Sequence, residues 1–275
     1  MAVITVTREM GTLGKDVVQG LAEALKYEVV HHEMVEHDLA ERLGLEESAV
    51  HRYLEGDATL FERWKIDKQK LSRYTALEIM ELVQKGNVII RGWGASALLK
   101  EVPHVLRVRI CAPMEFRENV MMQRLGLVDR SLARREIERS DKAHSRVVHG
   151  AFDLDWQDPL QYSVVLNTAA VPIPTCVRVL RQLLQDPTFE ETTATKSALN
   201  DKLLEWKIRS ALVGRGLGDF GGANIDVAVS GGAVVFTGSC YAIELKEQIG
   251  RIARDIPGVT SVEDRIYVVG QSHFL

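Results

Sequence analysis

Val3-Ile4-Thr5-Val6-Thr7-Arg8-Glu9-Met10-Gly11-Thr12-Leu13-Gly14-Lys15-Asp16-Val17-Val18 is the stretch whose reading decides the fold. Ile4 to Thr7 reads as a short buried strand. Arg8 to Asp16 is a glycine-punctuated turn. From Val17 the apolar residues Val17, Val18, Leu21, Ala24 and Leu25 recur at helical spacing. Strand, glycine loop and helix form the layout in which backbone N–H groups and a helix N-terminus face an anion. Gly14-Lys15-Asp16 nearly completes the pattern G-x-x-x-x-G-K-[ST]. Two positions depart from it: Glu9 stands where the first glycine belongs, and Asp16 where a magnesium-binding hydroxyl belongs.

The rest of the first two-thirds continues this alternation. Strands are expected at 27–30, 87–90, 105–111 and 162–166. Helices are expected at 33–43, 46–55, 63–85, from Ala95 to Lys100, and at 113–124, 131–147 and 175–184. Strands separated by helices predict an α/β fold, a parallel sheet with helices on both faces. Ligands in such folds bind beyond the carboxyl ends of the strands. Two glycine-bearing loops, 8–15 and Gly92-Trp93-Gly94, fall at such ends.

Residues 187–198 are polar, threonine-rich and without apolar periodicity, so they read as a linker. Beyond it the pattern changes. A helix over 199–212 is followed by alternating Ile225, Val227 and Val229, a turn at Ser230-Gly231-Gly232, and alternation again to Gly238. That is a hairpin signature. A helix at 242–256, a Pro257-Gly258 break and a strand at 262–269 complete a small α-β-β-α-β unit. The expected division is therefore 1–186, linker 187–198, and 199–270.

Composition narrows the classes. The 275 residues carry a net charge of −4, with 46% hydrophobic and 26% charged side chains, ordinary for a soluble globular protein. The net charge gives no argument for nucleic acid as a partner. No run of about 18 apolar residues predicts a membrane span. Three scattered cysteines and an N-terminus without a signal-peptide pattern predict a cytoplasmic protein.

Several segments carry a family resemblance: ITVTREMGTLGKDVVQGLAEAL, NVIIRGWGASALL, APMEFRENVMMQRLGL, SDKAHSRVV and DWQDPLQYSVVLNT. Together they make residues 1–185 resemble the cytidylate kinase-like family of P-loop nucleoside monophosphate kinases. The family's S-R-E-x-G-S-G-G is matched at Arg8, Glu9, Gly11 and Gly14, with Leu13 in place of a glycine. Its G-R-G-A becomes Gly92-Trp93-Gly94-Ala95, and its D-K-x-R becomes Asp141-Lys142-Ala143-His144. Trp93 and His144 thus stand where the family has arginine. Residues 199–270 resemble a BON domain, on Ile225-x-Val-x-Val, Val234 to Gly238 and Ile256-Pro257-Gly258-Val259. That resemblance implies a small module binding phospholipid or another ligand. With 8 Lys/Arg against 9 Asp/Glu in 199–270, a purely electrostatic hold on anionic lipid is not expected.

The resemblance implies transfer of a phosphoryl group from ATP, with Mg²⁺, to a nucleoside monophosphate such as CMP. Arg8, Gly11, Thr12, Gly14, Lys15 and Asp16 would border the donor nucleotide. His32, Gly92, Trp93, Gly94, Arg135, Asp141 and Lys142 would border the acceptor, and Lys15, Arg139 and Arg146 would act on the transferring group. Residues 117–146 hold eight Lys/Arg against five Asp/Glu, and Arg135, Arg139, Lys142 and Arg146 share one helical face. A basic lid helix over phosphate is one reading; a solvated helix laced with ion pairs is the other. The glycine loop likewise reads as a phosphate cradle or as a packing turn. Asp16 reads as a magnesium ligand or as a first-turn acid complementing the helix dipole. The cluster His31 to Asp38 lacks H-E-x-x-H spacing and predicts no metal site. Glu9, Leu13 and Asp16 keep open a second function, a catalytically degenerate nucleotide sensor.

Overall fold

The computed structural model describes residues 2–30, 40–41, 44–54, 68–92, 94–152, 154–215, 217 and 224–269. Expectations that fall elsewhere, notably most of the helix at 33–43, the His31–Asp38 cluster, His32 and Trp93, lie outside the described residues.

Strand β1 (Val3–Arg8) leads into α1 (Gly14–Leu25), then β2 (Glu28–Val30), α2 (Glu47–Leu54), α3 (Lys68–Lys85) and β3 (Val88–Arg91). A short α4 (Ala95–Leu98) precedes β4 (Val105–Cys111), α5 (Met114–Leu125), α6 (Arg130–Phe152), β5 (Val164–Asn167) and α7 (Ile173–Leu183). The five strands form one sheet in the order β2-β3-β1-β4-β5, and every pairing is parallel. This is the expected α/β architecture, and the order places β1 in the centre of the sheet.

The two faces of the sheet differ in chemistry because strand side chains alternate. One face presents Ile4, Val6, Ile89, Leu106, Val108, Ile110 and Leu166. They pack on Val17, Val18 and Leu21 of α1 and on Cys176 and Leu180 of α7. Each fully buried aliphatic side chain contributes about 1.5–3 kcal/mol, so this face anchors β1 and α1 around the loop that joins them. The other face carries Thr5 and Thr7 of β1 beside Arg107 and Arg109 of β4, in register. Polar side chains in a central strand need partners, and they lie next to the candidate site.

The second unit comprises α8 (Thr193–Gly214), β6 (Asn224–Ser230), β7 (Ala233–Cys240), α9 (Ile243–Arg254) and β8 (Ser261–Val268). β6 and β7 form the expected hairpin, and β8 pairs parallel to β7. Its own core joins Leu204, Ile208 and Leu212 of α8 to Val227, Val234, Phe236, Ile249, Ile252 and Ile266.

Two boundaries differ from the sequence reading. Residues 193–198, expected as linker, are the first turns of α8. Thr192 caps that helix, its hydroxyl accepting from the Thr195 amide while the Thr195 hydroxyl accepts from the Thr192 amide. Threonine density reads as linker from composition alone, yet it supplies a capping box here. Second, Lys68–Gln84 of α3 belongs to the same compact unit as Thr192–Leu275. The sequence places that helix in the first domain because it lies between β2 and β3. Thr75 to Met80 are all buried, every face of the helix in turn, so periodicity cannot name the element it packs on.

Candidate functional site

The loop between β1 and α1 sits beyond the carboxyl end of the central strand. Gly11 has φ +80° and Leu13 φ +57°. Leu13, the N-cap of α1, offers no side-chain cap, and Gly14 begins the helix. A leucine in the left-handed region is strained, whereas a glycine would adopt it freely. Among the described residues, the amides of Gly11, Leu13, Gly14 and Lys15 have no acceptor. Together with the helix N-terminus they form a patch of N–H groups suited to an anion.

The loop is braced from beneath by charge. Glu9 is buried, and its carboxylate accepts from Arg109 Nη2 at 2.5 Å and from the Ala112 amide at 3.3 Å, with Arg117 Nη1 at 3.5 Å. Arg109 also donates to the Gln157 carbonyl and stands 5.5 Å from the Trp156 ring centroid. Arg117 donates from Nε to the Met10 carbonyl at 2.7 Å and makes a bidentate pair with Asp141 of α6 at 2.7 and 2.9 Å. One buried arginine thus joins the loop to α6. The Thr12 hydroxyl donates to the Glu9 carbonyl at 2.7 Å, and the Thr168 hydroxyl donates to the Thr12 carbonyl at 2.6 Å. Next to this network, burial and then the Glu9 charge push the Cys111 thiol above its usual range, which disfavours a reactive thiolate.

The two glycines of the loop are fixed by packing. A Cβ on Gly11 would stand 2.7 Å from the Arg117 carbonyl oxygen, and one on Gly14 would stand 2.8 Å from Arg8 Cβ. Gly92 differs: its φ is +91° and nothing lies within 4 Å of where a Cβ would stand, so conformation alone requires glycine there. Gly92 donates to the Val6 carbonyl at 3.0 Å, and Gly94, at φ +65°, is the N-cap of α4. Ser96 of α4 hydrogen-bonds Thr5 at 2.8 Å and Thr7 at 3.2 Å. The second glycine loop is therefore tied to β1, directly beside the first.

Among the remaining candidates, Lys15 is exposed at the start of α1. Asp16, in the first turn of α1, forms a solvent-exposed ion pair with Arg124 of α5. Arg135, Arg139, Lys142 and Arg146 are exposed on α6. Arg135 donates to the Ser131 hydroxyl, Arg139 pairs with Glu136 at 3.7 Å, and Arg146 donates to the Lys142 carbonyl. The opposite stripe, Ala133, Ile137 and Val148, is buried. Asp141 is held by Arg117. His144 lies against Trp156, with ring centroids 5.5 Å apart. No cluster of three potential metal ligands occurs among the described residues, and no described helix is long and apolar enough to cross a membrane.

Sequence reasoning missed Glu9 as a counter-charge, gave no role to Arg109, Trp156 or Thr168, and counted Arg117 only within the basic 117–146 segment. A signal was available: Arg107 and Arg109 alternate with Val108 and Ile110 inside an apolar strand. An arginine at a buried strand position demands a carboxylate partner.

This geometry, an N–H-lined loop after the central strand of a five-stranded parallel sheet, meets a direct sequence match. The profile of the cytidylate kinase-like family aligns with residues 3–170. The chain belongs to the cytidylate kinase-like family. A BON domain matches residues 200–270. Among solved structures, an uncharacterized protein from Eubacterium ventriosum is 18% identical over 68% of this chain and 99% of that one, with a TM-score of 0.51. Shikimate kinase from Acinetobacter baumannii is 14% identical over 67% of this chain and 93% of that one, at TM-score 0.36. The YorR protein of Bacillus subtilis, solved with phosphorylated GDP, is 12% identical over 69% and 99%, at TM-score 0.41. At such scores the last two carry no weight for function. A search of curated proteins finds no match. The cytidylate kinase-like domain thus holds both glycine loops, the braced Glu9 network and the basic α6.

Proposed function

We propose that the protein binds a nucleotide at the 9–15 loop and transfers a phosphoryl group from ATP to a nucleoside monophosphate, with CMP the first acceptor to test. The observation that carries this reading is the set of amides at Gly11, Leu13, Gly14 and Lys15 that have no acceptor among the described residues, placed at the head of α1 in a cytidylate kinase-like domain. In this reading those amides hold donor phosphates and Lys15 adds charge from the solvent side. Gly92 and Gly94 border the acceptor. Arg139 and Arg146 approach the phosphates from α6, with Arg135 and Lys142 on the same face.

Positioning and electrostatic stabilisation dominate phosphoryl transfer. The chain provides the first through a loop held by Glu9, Arg117 and Thr168, so little reorganisation is needed on binding. Magnesium would draw on the Asp16 carboxylate, whose pair with Arg124 is solvent-exposed, and would supply charge neutralisation at the phosphates. The buried Thr12 hydroxyl gives its proton to the Glu9 carbonyl and braces the loop.

That same observation favours a second reading, a nucleotide sensor with little turnover, whose state is passed to the BON domain and its ligand. Incubation with radiolabelled ATP and a panel of nucleoside monophosphates separates the two. Label transfer that depends on the acceptor supports the kinase; nucleotide binding without transfer supports the sensor.

A further inference from the structure

Arg91 closes β3, immediately before Gly92. It stands in register with Val6 of β1, one strand spacing away, about 4.8 Å. Side chains alternate along a strand, so Arg91 leaves the sheet on the same face as Ile89, the face that packs on Val17 and Val18 of α1. The opposite face carries Thr5, Thr7, Arg107 and Arg109. Arg91 is therefore on the α1 side of the sheet, between the loop that opens α1 and the loop that begins at Gly92.

Its charge has no answer among the described residues. Three neighbouring cations of the site are committed to carboxylates: Arg109 to Glu9, Arg117 to Asp141 and Arg124 to Asp16. Lys15 is exposed, where water and salt screen its charge. Arg91 differs from all four. It is half-buried and makes no hydrogen bond or ion pair with any described residue. Arg8 lies diagonally across from it on the same face, two residues beyond Val6, so a second positive side chain stands nearby in place of an acid. A half-buried guanidinium without a carboxylate costs free energy that an anionic ligand offsets. The amides of Gly11, Leu13, Gly14 and Lys15, with no acceptor among the described residues, line the same side of the sheet edge.

We propose that Arg91 binds the terminal phosphate of the donor nucleotide, the group that passes from the 9–15 loop toward the acceptor beside Gly92. The proposal rests on the nucleotide reading of that loop. The guanidinium presents paired N–H donors that suit two phosphate oxygens. The contact is direct, so its share of the affinity does not pass through magnesium. Positive charge then reaches the transferring group from the sheet edge as well as from α6.

The test is calorimetric titration of the full-length protein with ATP and with ADP, each in magnesium and again in EDTA, with no acceptor present. Amide shifts at Gly11 and Gly14 in the ¹⁵N-labelled parent report that nucleotide sits at the loop. Arg91→Leu is expected to weaken ATP about tenfold or more in both media, as for a lost hydrogen bond to a charged group, and to leave ADP within about twofold. Arg91→Lys is expected to recover part of the ATP affinity, since it keeps the charge and loses the fork. Circular dichroism checks the fold of each variant, and Arg91→Gln replaces Arg91→Leu if the latter unfolds. Equal ATP binding by parent and variant, an equal loss for ATP and ADP, or an effect that vanishes in EDTA overturns the proposal while the loop shifts stand. A parent chain that binds neither nucleotide overturns the loop reading, and the proposal with it.

Discussion

Replacing Glu9 with alanine isolates the charge network beneath the loop. Arg117 would keep Asp141 and the Met10 carbonyl. Arg109 would lose its carboxylate and keep an uncharged carbonyl and an aromatic ring. Both members of the Arg109–Glu9 pair are less than 10% exposed, and removing one partner of a buried pair costs about 3–5 kcal/mol. The Ala112 amide also loses its acceptor, at about 1 kcal/mol. The expected loss is therefore about 5 kcal/mol. With a urea slope of about 2–3 kcal/mol per molar, the midpoint of the first unit should fall by about 2 M. Urea titrations followed by tryptophan fluorescence and far-UV circular dichroism measure it. Glu9→Gln should fall less, and adding Arg109→Met to Glu9→Gln should restore part of the loss, since an unpaired buried charge is worse than none. A shift under about 0.3 M for Glu9→Ala, or no recovery in the double variant, would refute the view that this pair holds the loop.

Three further outcomes follow from the geometry. Arg139→Ala with Arg146→Ala should leave the melting temperature within a few degrees, because exposed substitutions usually cost about half a kcal/mol or less. The same double variant should slow any phosphoryl transfer about 100-fold or more; an unchanged rate would make the basic face of α6 a solvated surface. His104, fully buried before β4 with neither ring nitrogen hydrogen-bonded among the described residues, is held by burial below its ordinary value of 6.5. Its folded pKa is depressed, so its contribution is full above pH 6.5 and is lost as pH falls toward the folded value. His104→Leu should flatten that part of the stability–pH curve, and an unchanged slope would assign it to other groups.

The alternation of strands and helices was legible because an apolar run bounded by glycine or polar residues can be read locally. The α-β-β-α-β order after residue 199 was legible for the same reason. The membership of α3 was not: a helix buried on every side carries no directional pattern. Thr192 and Thr195 misled because threonine is common both in linkers and in caps. At the site, the positions of Gly11, Gly14, Gly92 and Gly94 were readable, but not that Gly11 and Gly14 are required by Arg117 and Arg8. Glu9 looked like a defect in a phosphate motif; only the strand register that brings Arg109 alongside β1 shows it to be a counter-charge. Asp141 matched a family motif, yet its partner Arg117 lies 24 positions away, beyond the reach of helical spacing.

The central claim is that the amides at the head of α1 receive nucleotide phosphate. The most direct measurement is an amide NMR titration of the full chain with ATP, compared with Lys15→Ala, whose exposed side chain can be removed without disturbing the core. Saturable shifts are expected at Gly11, Leu13, Gly14 and Lys15 in the parent chain, with weaker binding in the variant. Absence of any shift at these four amides at saturating millimolar ATP, in a folded protein, would contradict it.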